Sequence, residues 1–130
     1  MFTMQCHHMA ISACTALAVL SAPVAQAQEA WMVVTHEVED VDRWQTVFDH
    51  ALPTRRVVGE MAAYILLNPV DRNLVTVWFQ WDTMERAQAW AADPALANGM
   101  TAAGVISTPV FSFHAIESTT DKIQVALERR

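Results

Sequence analysis

The stretch VVTHEVEDVDRWQTVFDHALPTRRVVGE, residues 33–60, decides how the chain folds. Met32, Val34, His36 and Val38 alternate with Val33, Thr35, Glu37 and Glu39. Period-two alternation of β-branched with polar residues predicts a half-buried strand over 31–38. Asp40 stands where a helix N-cap belongs, because its carboxylate can accept from the free N–H groups of a first turn. Val41, Trp44, Phe48 and Leu52 follow at spacings of three or four and share one face of a helix over 41–58. Pro53 has no N–H and should kink or restart that helix. Gly59 is the expected stop, since glycine enters the left-handed region without steric cost.

Outward from this unit, the chain of 130 residues has room for one domain. Residues 9–24 are apolar and rich in Ala, and Ala25-Gln26-Ala27 is a small-x-small cleavage signal. Residues 1–27 therefore read as a secretory signal peptide, which implies an exported protein, periplasmic or secreted. The first ten residues lack Lys and Arg, so Met4 or Met9 is an alternative start. Ile11-Ser12-Ala13-Cys14 resembles a lipidation box, but its apolar core follows the cysteine instead of preceding it. Both cysteines, Cys6 and Cys14, fall in this leader, so residues 28–130 have no thiol for a disulfide, a nucleophile or a metal site. The net charge of −6 lies wholly in residues 28–130 and argues against nucleic acid or an anionic membrane as the main partner.

The domain is expected over 28–117. Met61 to Leu67 (MAAYILL) reads as a second strand, apolar on both faces, and Leu74 to Trp81 (LVTVWFQW) as a third. The turn-rich Asn68-Pro69-Val70-Asp71-Arg72-Asn73 joins them into a hairpin. Asp82, with Glu85 three residues on, is the expected cap of a helix bearing Met84, Ala87, Trp90 and Ala91 on one side. Asp93-Pro94 opens a second short helix carrying Leu96, Met100 and Ala103, and Gly104 closes it. Residues 110–116 (VFSFHAI) are the fourth strand. Residues 118–130 are a tail or a short surface helix.

The order β-α-β-β-α-β is the ferredoxin-like α+β plan, a four-stranded antiparallel sheet with helices on one face. These strands carry apolar residues on both faces. A second copy of the sheet is the simplest cover for the other face, which gives a closed dimeric α/β barrel. A domain of roughly 100 residues without disulfides also gains from the added burial.

His36-x-Val38-x-Asp40-x-x-x-Trp44, then Phe48-Asp49, Arg55 and Gly59-Glu60, resembles the small dimeric α/β-barrel proteins of the antibiotic-biosynthesis-monooxygenase-like superfamily. Asn68-Pro69 with Asp71, Ala87 and Trp90, Ala103-Gly104-Val105, and Pro109 agree with it. The resemblance spans residues 33–117. It implies a homodimer with a pocket between helices and sheet in each subunit. The superfamily includes cofactor-free oxygenases of aromatic polyketides, haem-degrading enzymes and many proteins without an assigned reaction. The Asn, Trp and His set of the haem-degrading branch has no match here, and an export signal departs from the superfamily's usual pattern.

Five residues are candidates for chemistry. His36, on an otherwise apolar strand face, could act as a base toward a phenol or hold a ligand oxygen; the alternative is a hydrogen-bonded core histidine that orients the strand-to-helix turn. Trp44 could stack on an aromatic ligand or serve as core. Arg55 could clamp a carboxylate or phenolate with its planar fork, or sit at a solvated helix end or pair with Glu60. Tyr64 could donate to a ligand or simply pack in its strand. His114 would face His36 if the first and last strands are neighbours, but two histidines make a poor metal site. The acidic residues Glu37, Glu39, Asp40 and Asp42 lack the ligand spacing of a calcium loop. No phosphate loop, nucleophile elbow, nicotinamide site or flavin site is legible, so neither cofactor nor metal is expected.

Two functions follow as expectations. The protein binds a small apolar or aromatic molecule, with cofactor-free monooxygenase-like or isomerase-like chemistry at His36. Alternatively it is a non-enzymatic dimeric scaffold or stress-associated interaction protein. A cavity below roughly 300 Å³, the lower bound for a drug-sized ligand, favours the scaffold.

Overall fold

A computed structural model of the chain describes residues 29–118. The expected leader 1–27, its two cysteines and nearly all of the tail lie outside the described residues. The elements run β1 (Ala30–Glu37), α1 (Val41–His50), α2 (Leu52–Val58), β2 (Glu60–Leu67), β3 (Leu74–Trp81), α3 (Met84–Ala91), α4 (Pro94–Ala102) and β4 (Val110–Ala115). The strands form one antiparallel sheet in the order β2-β3-β1-β4. This is the ferredoxin-like arrangement.

Local chemistry accounts for most boundaries. Asp40 caps α1 by accepting from the N–H groups of Asp42 and Arg43 at 2.9 and 3.1 Å. The helix then breaks at Ala51 and restarts with Pro53 in its first turn, where a missing N–H costs nothing. Gly59 ends α2 at φ 119°. The positive φ favours glycine, and a Cβ there would meet Asp82 Oδ1 at 2.5 Å and force that side chain to move. Asp93 caps α4 as expected.

The cap of α3 differs from the expectation. Thr83, not Asp82, holds that position and accepts from the Arg86 N–H at 3.2 Å. Asp82 instead pairs with the Arg86 guanidinium. The hydroxyl of the next residue, not the carboxylate, caps the helix, and Asp82 contributes through the ion pair with Arg86 one turn on.

Alternation sorts the sheet into two faces. Ala30, Met32, Val34 and His36 of β1 and Val75, Val77, Phe79 and Trp81 of β3 are buried beneath the helices. Phe111 and Phe113 of β4 join them, paired with Val34 and Met32. Trp44 of α1 and Ala87 and Trp90 of α3 close the core from the helical side. The other face carries Trp31, Val33, Trp78, Tyr64, Leu66 and Val110; Trp31 stacks on Tyr64 with centroids 6.0 Å apart.

β2 contains one irregularity. Glu60 pairs with Trp81 and Ala62 with Gln80, leaving Met61 as an extra residue between them. This bulge reverses the alternation at the start of the strand. Glu60 is turned to the core face and buried, while Met61 is 52% exposed.

Candidate functional site

Between the core face of the sheet and the helices lies a cavity of about 200 Å³. Its floor is Met32, Val34 and His36 of β1, Val77 and Phe79 of β3, and Phe111 of β4. Trp44, Val47 and Phe48 of α1 form one wall, continued by Thr54 and Arg55 of α2. Leu96, Gly99 and Met100 of α4 form the opposite wall, with Trp90 of α3. No residue of α4 is fully buried. Its Leu96 and Met100 line this cavity and also pack against the edge of the core.

His36 is 3% exposed and points into the cavity. Its ring lies 5.6 Å from that of Trp44, tilted by 56°. Neither Nδ1 nor Nε2 has a hydrogen-bond partner among the described residues. A neutral imidazole offers one donor and one acceptor, and leaving such groups buried and unpaired costs about 1–3 kcal/mol. Burial also lowers the His36 pKa below its ordinary value of 6.5, because the charged ring would lose its hydration. His36 is therefore neutral at pH 7, and one of its nitrogens is a free acceptor. Among the described residues no protein group supplies the hydrogen bond that the alternative reading, a hydrogen-bonded core histidine, called for.

A chain of aromatic rings borders the cavity. Trp44 stacks on Phe48 at 5.0 Å, Phe48 meets Phe79 at 5.9 Å, and Trp81 lies between Phe79 and Trp90 at 6.5 and 6.4 Å. The Arg55 guanidinium sits 3.8 Å above the Phe48 ring. Its Nε donates to the Glu60 carboxylate and its Nη1 to the Phe48 carbonyl. Arg55 and Glu60 are both buried. The pairing with Glu60 was one of the sequence expectations; the solvated helix end was not met. A guanidinium already neutralised by a carboxylate and spread over a ring leaves little net charge for a ligand.

The structure thus brings together His36, Trp44 and Arg55 and leaves two candidates elsewhere. Tyr64 lies on the opposite face of the sheet, 54% exposed against Trp31. His114 also lies there. β1 and β4 are neighbours, as the His36–His114 idea required, but His114 pairs with Trp31, one residue out of phase with the inward set, and bonds Ser112 at 2.9 Å. Neither Tyr64 nor His114 reaches the cavity. Among the described residues no group of three or more His, Cys, Asp or Glu is placed to hold a metal. The contributions of Phe48, Phe111, Leu96 and Met100 were legible only as apolar stripes, because a residue lining a cavity carries the same pattern as one filling a core.

No protein-family model matches the sequence, and no curated protein matches it. The similarity is one of structure. SnoaB from Streptomyces nogalater, a cofactor-independent oxygenase, superposes with a TM-score of 0.60 at 17% identity, over 74% of this chain and 100% of SnoaB. The ActVA-Orf6 monooxygenase of Streptomyces coelicolor, solved with nanaomycin D, gives 0.52 at 19% identity, over 71% of this chain and 90% of the other. A protein of unknown function from Nitrosomonas europaea gives 0.53 at 16% identity, over 73% and 95%. The fold is that of the antibiotic-biosynthesis-monooxygenase-like proteins, as the sequence resemblance implied. At these identities the likeness concerns the fold, and members of that fold differ in what they do.

Proposed function

We propose that this chain is an exported, homodimeric protein that binds a small aromatic molecule in the cavity beneath α1 and α4. One observation carries the reading: His36 presents two unpartnered ring nitrogens to an apolar, aromatic-lined cavity. A polar group kept neutral and unpaired in such a place is poised to bond a ligand. Its chemistry is proton acceptance. A phenolic O–H directed at the free nitrogen donates a hydrogen bond to the imidazole, which polarises the ring toward phenolate and takes the proton only as the ring gives up electrons beside Trp44 and Phe48. A phenolate is the form that gives electrons to dioxygen directly, and oxidation without a bound cofactor is the activity of the structurally similar SnoaB. The dimer is supported by the apolar open face of the sheet, where Trp78, Tyr64, Leu66 and Val110 are exposed. Export rests on the leader read in residues 1–27.

A second reading is favoured by the cavity's size. About 200 Å³ is below the roughly 300 Å³ of a drug-sized site. On that measure the chain is a dimeric scaffold whose aromatic residues are core and interface. Native mass spectrometry of the protein recovered from an exporting host separates the two. A dimer beginning at Gln28 with added small-molecule mass supports the ligand reading. A dimer without added mass moves the assignment to the scaffold, and a monomer refutes the closed barrel. Retained ligand binding and turnover after His36→Ala would remove the base role.

A further inference from the structure

We infer that the cavity selects an uncharged hydroxylated aromatic of one or two fused rings, with its hydroxyl on His36, and discriminates against aromatic carboxylates. This rests on the reading of the cavity as a ligand site, and it deepens that reading in three respects that the geometry supplies independently.

The first is size. A cavity of roughly 150 Å³ lined by apolar side chains holds benzene. The room here, about 200 Å³, extends that to a substituted ring or a fused pair. A three-ring molecule has to leave part of itself outside the cavity in water, where it contributes no burial.

The second is charge. Sequence alone allowed Arg55 to act as a clamp for a carboxylate or phenolate. In the folded chain its Nε is committed to Glu60, its Nη1 to the Phe48 carbonyl, and its planar face to the Phe48 ring. Among the described residues no second basic side chain lines the cavity except His36, which is neutral. A carboxylate entering here would give up its water for a wall whose positive charge is already balanced. Burial of an ion under those terms is strongly unfavourable.

The third is the hydrogen bond. The unpartnered nitrogens of His36, 97% buried, can be satisfied by a ligand hydroxyl acting as donor to one of them. A phenol ionises near pH ~10, so at neutral pH it arrives protonated and able to donate. A hydrocarbon of the same shape leaves His36 unpaired.

Calorimetric titration of the exported protein at pH 7 with 2-naphthol, naphthalene, 2-naphthoate and 2-anthrol tests each part. One net hydrogen bond is worth about 3- to 10-fold in affinity, so 2-naphthol should exceed naphthalene by that factor. The naphthoate should bind at least about 100-fold more weakly than the naphthol. The three-ring 2-anthrol, which keeps the hydroxyl, should bind more weakly than the naphthol. In His36→Leu the naphthol and naphthalene should become equal, while His36→Gln, which keeps an acceptor oxygen, should retain a preference. Circular dichroism establishes that both variants are folded, and the wild-type comparisons stand without them. Naphthoate binding as tightly as naphthol overturns the neutral class. Tighter binding of 2-anthrol overturns the size limit. Equal binding of naphthol and naphthalene by the wild type overturns the hydrogen bond to His36. If none of the four binds to the folded protein, the ligand reading itself fails, a result distinct from the other three.

Discussion

Arg55→Ala is the most informative single change. Arg55 and Glu60 face one another with side chains only 5% and 1% exposed. Removing the guanidinium leaves a buried carboxylate without its counter-charge and strips the Phe48 carbonyl of its donor. Breaking one partner of a buried pair costs about 3–5 kcal/mol. The carbonyl and the contact with the Phe48 ring are lost with the same side chain, so they are not added again. Domains of this size have about 5–15 kcal/mol in all, and the variant should be near the limit of folding. In urea, with a slope of about 2 kcal/mol per molar, the midpoint should fall by about 2 M. The double replacement Arg55→Met with Glu60→Leu removes both charges and should recover most of the loss, since apolar substitutes for a buried pair are often neutral or better. A loss for Arg55→Ala below about 1 kcal/mol would show that Glu60 reaches water. The neutral wall of the cavity would then be wrong, together with the exclusion of carboxylates that depends on it. Glu60→Gln gives a complementary result: it keeps an acceptor for Arg55 but frees the positive charge, so 2-naphthoate affinity should rise about 10-fold or more.

Three further outcomes are expected. As pH falls through 6.5, the unfolded chain protonates at His36 while the folded chain, with its lowered pKa, does not; stability should therefore decline below about pH 6.5 until the folded pKa is reached, and urea titrations should show that His36→Leu removes this part of the slope. Gly59→Ala places a Cβ at 2.5 Å from Asp82 Oδ1 in a left-handed backbone and should cost about 1–3 kcal/mol or more by thermal melting. Trp78→Glu on the open face of the sheet should convert a dimer to monomer by light scattering while leaving 2-naphthol binding unchanged; an unchanged dimer would place the interface elsewhere.

The elements that were legible in the sequence are those decided by local chemistry. β3 alternates without interruption from Val75 to Trp81, and its inward set is buried as the pattern requires. Asp40 acts on the amides two and three residues on, and Pro53 and Gly59 through their own backbone, so their roles needed no partner distant in sequence. What was not legible depends on partners distant in sequence. Thr83 and not Asp82 caps α3, and the Asp82 carboxylate pairs with Arg86. Tyr64 and His114 sit in strands with apolar residues at both parities, and only the registers with β3 and β1 show that they face away from the cavity. His36 and Trp44 were found because β1 and α1 are consecutive and their inward faces must meet. The neutralisation of Arg55 was half visible: Glu60 was an evident partner, but nothing local indicated that both would be buried.

The bulge at Met61 explains that last point and has a wider consequence. Uninterrupted alternation back from Ala63 would turn Met61 inward and Glu60 outward. The extra residue reverses this and brings the carboxylate to Arg55. Exchanging Glu60 and Met61 in the chain would leave composition, length, net charge and hydropathy unchanged, yet it would put a thioether against the guanidinium and the carboxylate in water. The cavity would become cationic without any change to a residue that lines it. In this chain, the order of two neighbouring residues at a strand's entry decides whether the guanidinium beneath α2 is balanced by a carboxylate.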